Sequence, residues 1–321
     1  GYVGFTGATG GLVAVQEILN WTFSPGATIS PNPPSGLGAT PTSATSIRLS
    51  WTNNSTNQSG FHLDRATDAD FTESFLTQEL PGKISTFTDT AIGLAPGSTF
   101  FYRLRAFNSV GDSDHSNISE AFIPVAPPKP TLQEIDAVSE TQIDIHWQDE
   151  AGHQADGYRI LRAVNHGAFT PVVVLPPTSR TPPSIYEWSD TDLTPGNFYE
   201  YHIVAFNVSG NNDFAGVNAT TITTAPTSVT ALPGASVVEL SWSAPVGAQS
   251  FNVIRGTAPG GEDSTPLATG ITATSYSDTD VTIGVTYYYT VTAVNANIDH
   301  DPVLPSESAP STEVSATPTA F

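Results

Sequence analysis

Ser46-Ile47-Arg48-Leu49-Ser50-Trp51, Gln142-Ile143-Asp144-Ile145-His146-Trp147 and Val237-Val238-Glu239-Leu240-Ser241-Trp242 are one strand written three times. In each, apolar residues alternate with polar ones and the run ends on Trp, the period-two pattern of a strand with one buried face. The three Trp stand 96 and 95 residues apart, which is the length of a β-sandwich domain of about 100 residues. Downstream of each Trp a second strand repeats position by position: Phe61-His62-Leu63-Asp64-Arg65, Tyr158-Arg159-Ile160-Leu161-Arg162 and Phe251-Asn252-Val253-Ile254-Arg255. Thr88-Asp89-Thr90, Ser189-Asp190-Thr191 and Ser277-Asp278-Thr279 then punctuate the chain before a turn. The longest matching runs close the pattern: Phe100 to Asn108, Tyr199 to Asn207 and Tyr287 to Asn295. Their aromatic and β-branched residues supply an apolar face opposite a polar one.

Composition narrows the function. The 321 residues carry 10 basic and 31 acidic side chains, a formal charge of −21. Such a surface repels phosphate backbones and anionic headgroups, so nucleic acid and membrane insertion are excluded as modes of action. No run approaches the ~18 consecutive apolar residues of a membrane span. With no Cys there is neither disulfide nor thiolate chemistry, and 26 Pro with 26 Gly favour turns and edges over long helices. There is no Met, even at position 1, which reads as a chain beginning after processing or part-way through a longer polypeptide.

Leu94-Ala95-Pro96-Gly97 and Leu193-Thr194-Pro195-Gly196 precede the first two long aromatic strands. They resemble the turn that enters strand F of fibronectin type III domains. The resemblance implies a tyrosine corner, with a hydroxyl bonding back to upstream backbone. Tyr199 and Tyr287 stand at that position; Phe100 does not supply the hydroxyl, so packing alone is expected to hold the first corner. The fold expected is therefore all-β: three tandem fibronectin type III-like (Ig-like) β-sandwiches in an extended rod, with a short N-terminal β-hairpin segment. The boundaries read are 1–24 for that segment, 25–34 for a Pro/Gly linker, 35–126, 127–224 and 225–318 for the sandwiches, and 319–321 for a tail. Trp51, Trp147, Trp242, Tyr199 and Tyr287 are the expected core anchors. Pro124 to Pro130 and Ala225-Pro226 read as semi-rigid joints, because proline fixes φ.

Gly1 to Gly11 and Val13 to Phe23 lie outside the repeat and read as two strands around a glycine-rich turn. They resemble the last two strands of legume-type (L-type) lectins. The resemblance implies a loop over Thr9 to Val13 bordering a sugar pocket, with the family's main sugar and metal ligands on strands absent here. A hairpin of this composition is not stable alone in water. Either it belongs to an upstream lectin domain, or Val3, Phe5, Val13, Val15, Ile18, Leu19, Trp21 and Phe23 pair with a neighbouring molecule by β-augmentation.

Motifs for chemistry are sparse. His62, His115, His146, His153, His166, His202 and His300 lack the paired spacing of a zinc site. No nucleophile elbow, phosphate loop or dinucleotide fingerprint occurs, so no catalysis is expected. Asp68, Asp70 and Glu73 make a short acidic loop that is a weak calcium candidate, as is the Asp112 and Asp114 loop; no other cofactor is implied. Arg65, Arg162 and Arg255 share one repeat position and read as surface arginines stacking on their own sheets, against the alternative of a contact ladder. Asn20, Asn53, Asn54, Asn57, Asn117, Asn207 and Asn218 open Asn-x-Ser/Thr sequons.

The sequence thus points to a non-catalytic extracellular structural or adhesive protein of the cell surface, a spacer and in one variant a filament subunit. Its expected partners are further copies of itself or another cell-surface protein, with carbohydrate bound through a lectin portion. The alternative is an accessory region of a secreted polysaccharide-degrading enzyme, or the stalk of a surface lectin. Three sandwiches of ~10-residue strands, each about 35 Å long, end to end span roughly 100 Å. Small-angle scattering is expected to give an elongated particle of that length; a compact globule would contradict the rod.

Overall fold

The computed structural model describes residues 29–149, 154–177, 184–261, 265–296 and 305–320. The lectin-like strands and the strand-pairing residues Val3 to Phe23 lie outside the described residues. Every regular element described is a β-strand, as the alternating patterns and frequent Pro and Gly require.

The first repeat contains β1 (Ser35–Ser43), β2 (Ser46–Thr52), β3 (Gly60–Ala66), β4 (Leu76–Pro81), β5 (Thr86–Asp89), β6 (Thr99–Asn108), β7 (Gly111–Asp112) and β8 (Ser119–Phe122). They form one sheet of order β1-β2-β5 and another of order β4-β3-β6-β7, with β8 also on β6. The second repeat contains β9 (Thr131–Ala137), β10 (Ile143–Asp149), β11 (Gly157–Val164), β12 (Thr170–Leu175), β13 (Ser184–Asp190), β14 (Phe198–Asn207) and β15 (Gly210–Thr220). Its sheets run β13-β10-β9 and β12-β11-β14-β15. The third repeat has β16 (Thr227–Gly234), β17 (Val237–Ser243), β18 (Ser250–Gly256), β19 (Ala268–Ile271), β20 (Ser275–Asp278), β21 (Tyr287–Ala296), β22 (Pro305–Glu307) and β23 (Val314–Ala316). Its sheets run β16-β17-β20 and β19-β18-β21-β22, with β23 on β21. The repeated strands are therefore a β-sandwich built three times. Most of the first repeat forms one compact unit, and the second and third repeats fall together in another.

The Trp that ends each signature strand is the centre of its core. Trp51, Trp147 and Trp242 are 6%, 0% and 6% exposed. Each meets, edge-on, the first aromatic residue of the facing strand: Phe61 at 5.4 Å, Tyr158 at 5.6 Å and Phe251 at 5.4 Å between ring centroids. Such aromatic pairs contribute about 1 kcal/mol beyond the area they bury. In the second sandwich Tyr186 stacks on Trp147 at 5.4 Å and also meets Tyr158 at 4.5 Å, so the three rings form one cluster, with Ile143, Ile145, Ile160 and Ile203 packed in the same core.

The tyrosine corners form as the resemblance implied. The Tyr199 hydroxyl accepts the Thr194 N–H at 2.8 Å, and the Tyr287 hydroxyl accepts the Thr282 N–H at 3.0 Å. Glycine at the turn is a conformational requirement, because Gly97, Gly196 and Gly284 have φ of 82°, 69° and 84°.

The repeated arginines stack on their own sheets as the sequence reading expected, and each also pairs with a buried carboxylate, which that reading did not assign. Arg65 Nη1 donates to Asp89 at 2.9 Å, Arg162 Nη1 to Asp190 at 2.9 Å and Arg255 Nη1 to Asp278 at 2.9 Å. The same carboxylates accept the hydroxyls of Tyr102 at 3.0 Å, Tyr201 at 2.8 Å and Tyr289 at 2.8 Å. Asp89, Asp190 and Asp278 are 3%, 5% and 1% exposed. Each ends a strand of one sheet, whereas its Arg and Tyr partners sit on the other sheet, so the triad ties the two layers together. Arg65, Arg162 and Arg255 lie over the corner rings of Phe100, Tyr199 and Tyr287, with guanidinium carbon to centroid distances of 5.6, 5.7 and 5.1 Å. Burial, then the neighbouring carboxylate, pushes the phenols of Tyr102, Tyr201 and Tyr289 far above their ordinary pKa. They remain donors throughout the accessible pH range.

Asp190→Ala is expected to lower the stability of the second sandwich by about 3 kcal/mol, the low end for breaking a buried pair, because the Arg162 side chain keeps 27% exposure. Tyr201→Phe, which removes one donor and leaves the ion pair, costs about 1 kcal/mol. Denaturant titration of both variants measures the difference, and equal losses would refute the ranking.

Candidate functional site

The triads are alike in all three sandwiches, so any difference between them must come from the outward faces of the larger sheets. The first sandwich has the densest group of charged side chains there. Cross-strand register sets Asp64 of β3 opposite Arg103 of β6, and His62 opposite Arg105. Asp64 points outward yet is 0% exposed, because its neighbours cover it. Its carboxylate accepts the Thr77 hydroxyl at 2.7 Å, Arg103 Nε at 3.0 Å and Arg105 Nη1 at 2.8 Å, with His115 Nε2 at 3.3 Å. Arg105 Nε also donates to Asp112 at 2.8 Å, and His62 Nδ1 lies 3.1 Å from the other oxygen of Asp112. The His62 ring stacks on Phe107 with centroids 4.3 Å apart and planes 10° apart. Burial alone would raise the Asp64 pKa; the Thr77 hydroxyl, then Arg103 and Arg105, outweigh it and hold the carboxyl below its ordinary range.

This cluster neutralises charge. The Arg105 guanidinium stands between Asp64 and Asp112, which occupies the gap that a pair of catalytic carboxylates keeps for substrate and water. The loop after β3 closes over it. Asp68 accepts the Glu73 N–H at 2.7 Å, the Thr72 N–H at 2.9 Å and the Thr72 hydroxyl at 2.8 Å. The Glu73 amide first, with Thr72 in support, holds the Asp68 carboxyl below its usual value. That loop places Phe71, with φ of 58°, beneath Arg103, whose guanidinium carbon is 4.1 Å from the ring centroid. A bulky residue in the left-handed region persists only where such contacts over-determine it.

The calcium candidates therefore do not come together as a site. The Asp68 oxygens are occupied by the loop's own donors, Asp70 and Glu73 are exposed, and Asp112 is spent on Arg105 and His62. Among the described residues no three His, Asp or Glu side chains gather in a metal-holding group. His146 lies between Glu134 at 3.5 Å and Glu187 at 3.7 Å, while His166 is 3.3 Å from Glu200 and His202 3.0 Å from Asp213. His153 and His300 lie outside the described residues.

The equivalent face of the second sandwich is more aromatic. Arg159 lies over Phe206 at 5.2 Å, and the His202 ring meets Phe169 at 4.0 Å. In the third sandwich Glu307 accepts Asn252 Nδ2 at 2.9 Å and the Thr292 hydroxyl. Two open hollows lie among these surfaces. One of about 450 Å³ is lined by Ile29, Ser30, Asn32 and Asn54 to Asn57; one of about 330 Å³ is lined by Ser250, Asn252, Thr269, Gly270, Val294 and Glu307. The charge cluster was missed in the sequence. Its only trace is an acidic residue at the fourth position of one strand and two arginines at alternate positions of another, which means nothing until the register is known.

Residues 32–122 match the model of the fibronectin type III domain. Exoglucanase B of Cellulomonas fimi is 26% identical over 319 residues, an alignment that takes in 90% of this chain and 26% of that enzyme. The Amylopullulanase of Thermoanaerobacter thermohydrosulfuricus is 43% identical over 98 residues, 30% of this chain and 6% of its own. The chain thus spans about a quarter or less of the length of these curated relatives. Among solved structures, the FN1–FN3 domains of chicken CNTN1 align over 90% of this chain and 99% of their own, with 18% identity and a TM-score of 0.34.

Because the Asp64 carboxyl is held below its ordinary pKa in the folded state, its contribution is present above the unfolded value of ~4 and is lost as pH falls through the folded one. Asp64→Asn should therefore lower the melting temperature at pH 7 and flatten the acid limb of the stability profile below about pH 4. Melting curves between pH 2 and 7 test this; an unchanged acid limb would show that Asp64 is not a determinant.

Proposed function

We propose that this chain is a non-catalytic spacer, the accessory region of an extracellular protein that acts on polysaccharide. The observation that carries this reading is the alignment with Exoglucanase B, which takes in nearly all of this chain and only 26% of the relative. A stretch of such a share, built of repeated sandwiches, is what a region flanking a catalytic domain looks like. The outward faces agree with it. Among the described residues the clustered carboxylates Asp64, Asp112 and Glu307 are bound by arginine, histidine, amide or hydroxyl partners. No helix among the described residues is long and apolar enough to cross a membrane. An adhesive or self-associating role stands second, because such sandwiches host many roles.

The test is to incubate the purified chain with insoluble cellulose and with starch, following released reducing sugar and protein left in solution. The expected outcome is no sugar release and no depletion. Sugar release above the protein-free blank would overturn the non-catalytic reading. Depletion by either polymer would replace the spacer with a carbohydrate-binding module.

A further inference from the structure

The segment between the second and third sandwiches contains two threonines, Thr221 and Thr223, that are both 0% exposed. Full burial of polar side chains outside a strand requires partners, and here the partners lie on both sides. Toward the second sandwich, the Thr221 N–H donates to Asn197 O at 3.1 Å, and its hydroxyl donates to Thr194 O at 2.8 Å. The same hydroxyl accepts the Asn197 N–H at 3.2 Å. Toward the third sandwich, Thr221 O accepts Asn295 Nδ2 at 2.9 Å, and the Thr223 hydroxyl donates to Val246 O at 2.7 Å. The backbones also meet directly. A Cβ at Gly196 would lie 2.0 Å from Val246 O, and one at Gly247 would lie 2.4 Å from Gly196 O.

One element of this joint recurs. At or next to the end of the long aromatic strand of each sandwich (β6, β14 and β21) an Asn holds the carbonyl of the chain entering that sandwich. Asn108 Nδ2 donates to Ile29 O at 2.9 Å, Asn207 Nδ2 to Val125 O at 2.6 Å and Asn295 Nδ2 to Thr221 O at 2.9 Å. Asn207, which opens a sequon, is thereby committed to structure and 8% exposed. Between the second and third sandwiches two buried hydroxyls and a glycine-to-glycine backbone contact add to the clamp.

We propose that Thr221, Thr223 and Asn295, with the Gly196 and Gly247 contact, lock the second and third sandwiches into one cooperative body. This deepens the spacer reading by assigning its stiff section to residues 127–318. The locking does not depend on what the full protein acts upon. Freeing the two sandwiches from each other strips the Thr221 carbonyl of Asn295 and the Thr223 hydroxyl of Val246 O, partners that water replaces only after the joint opens. Opening of one sandwich is therefore coupled to opening of the other.

Hydrogen exchange read by mass spectrometry, on the full chain in rising denaturant, tests the coupling without any ligand. Peptides from β10 to β14 and from β17 to β21 are expected to open in one shared transition. Thr223→Val, which keeps the volume and removes one hydroxyl, is expected to split that transition, with one sandwich exchanging about tenfold faster than the other. Thr221→Ser, which keeps the hydroxyl, preserves the shared transition. Asn295→Ala should split it as well; should that variant fail to fold its third sandwich, Thr223→Val alone decides. Independent opening of the two sandwiches in the unaltered chain, or a shared transition that survives Thr223→Val, overturns the proposal. Either result leaves the polysaccharide assay, and the spacer reading it tests, untouched.

Discussion

A carboxylate, a guanidinium and a phenol, buried between two sheets, hold each of these sandwiches together. Asp89, Asp190 and Asp278 lie almost wholly out of water, and an ionised carboxylate there is tolerable only with a counter-charge and full hydrogen bonding. The arginine supplies the charge and the tyrosine a second donor. Because the carboxylate comes from one sheet and both partners from the other, the demand for pairing fixes the position of one layer against the other. Apolar packing around Trp51, Trp147 and Trp242 drives the sheets together, but it is non-directional. The triad supplies direction, and the corner ring beneath each guanidinium closes the arrangement.

With the interior so constrained, the outward faces are free to differ. The first sandwich covers its buried Asp64 with two arginines and a histidine, the second carries paired aromatic and cationic groups, and the third holds Glu307 with amide and hydroxyl donors. The first face shows how a charged surface can be chemically quiet. Arg105 bridges two carboxylates, and the loop carrying Phe71 pays for its left-handed residue with contacts to Arg103.

Much of the fold could be read directly. Strand alternation ending on Trp51, Trp147 and Trp242, the Pro-Gly turns and the corner positions of Tyr199 and Tyr287 are local signals, and local signals survive in a linear string. The arginines at 65, 162 and 255 show the limit. Their recurrence is visible, and so is that of Asp89, Asp190 and Asp278, yet only the stacking of each arginine on its own sheet can be read, because nothing local says that the two positions meet. The second joint was similar. Proline drew the eye to Ala225-Pro226, whereas the residues that lock it are two threonines a few positions earlier.

The sequence by itself determined the all-β class, the threefold repeat, its period and the place of each core Trp, because these follow from side-chain periodicity and the backbone limits of Gly and Pro. Only the tertiary structure decided which charges pair, that Asp64 is buried although it points outward, and that Thr221 and Thr223 join two sandwiches. Those contacts depend on the register of strands far apart along the chain and on the meeting of separate repeats. A one-residue slip would send every such side chain to the opposite face, so no reading of neighbours along the chain contains them.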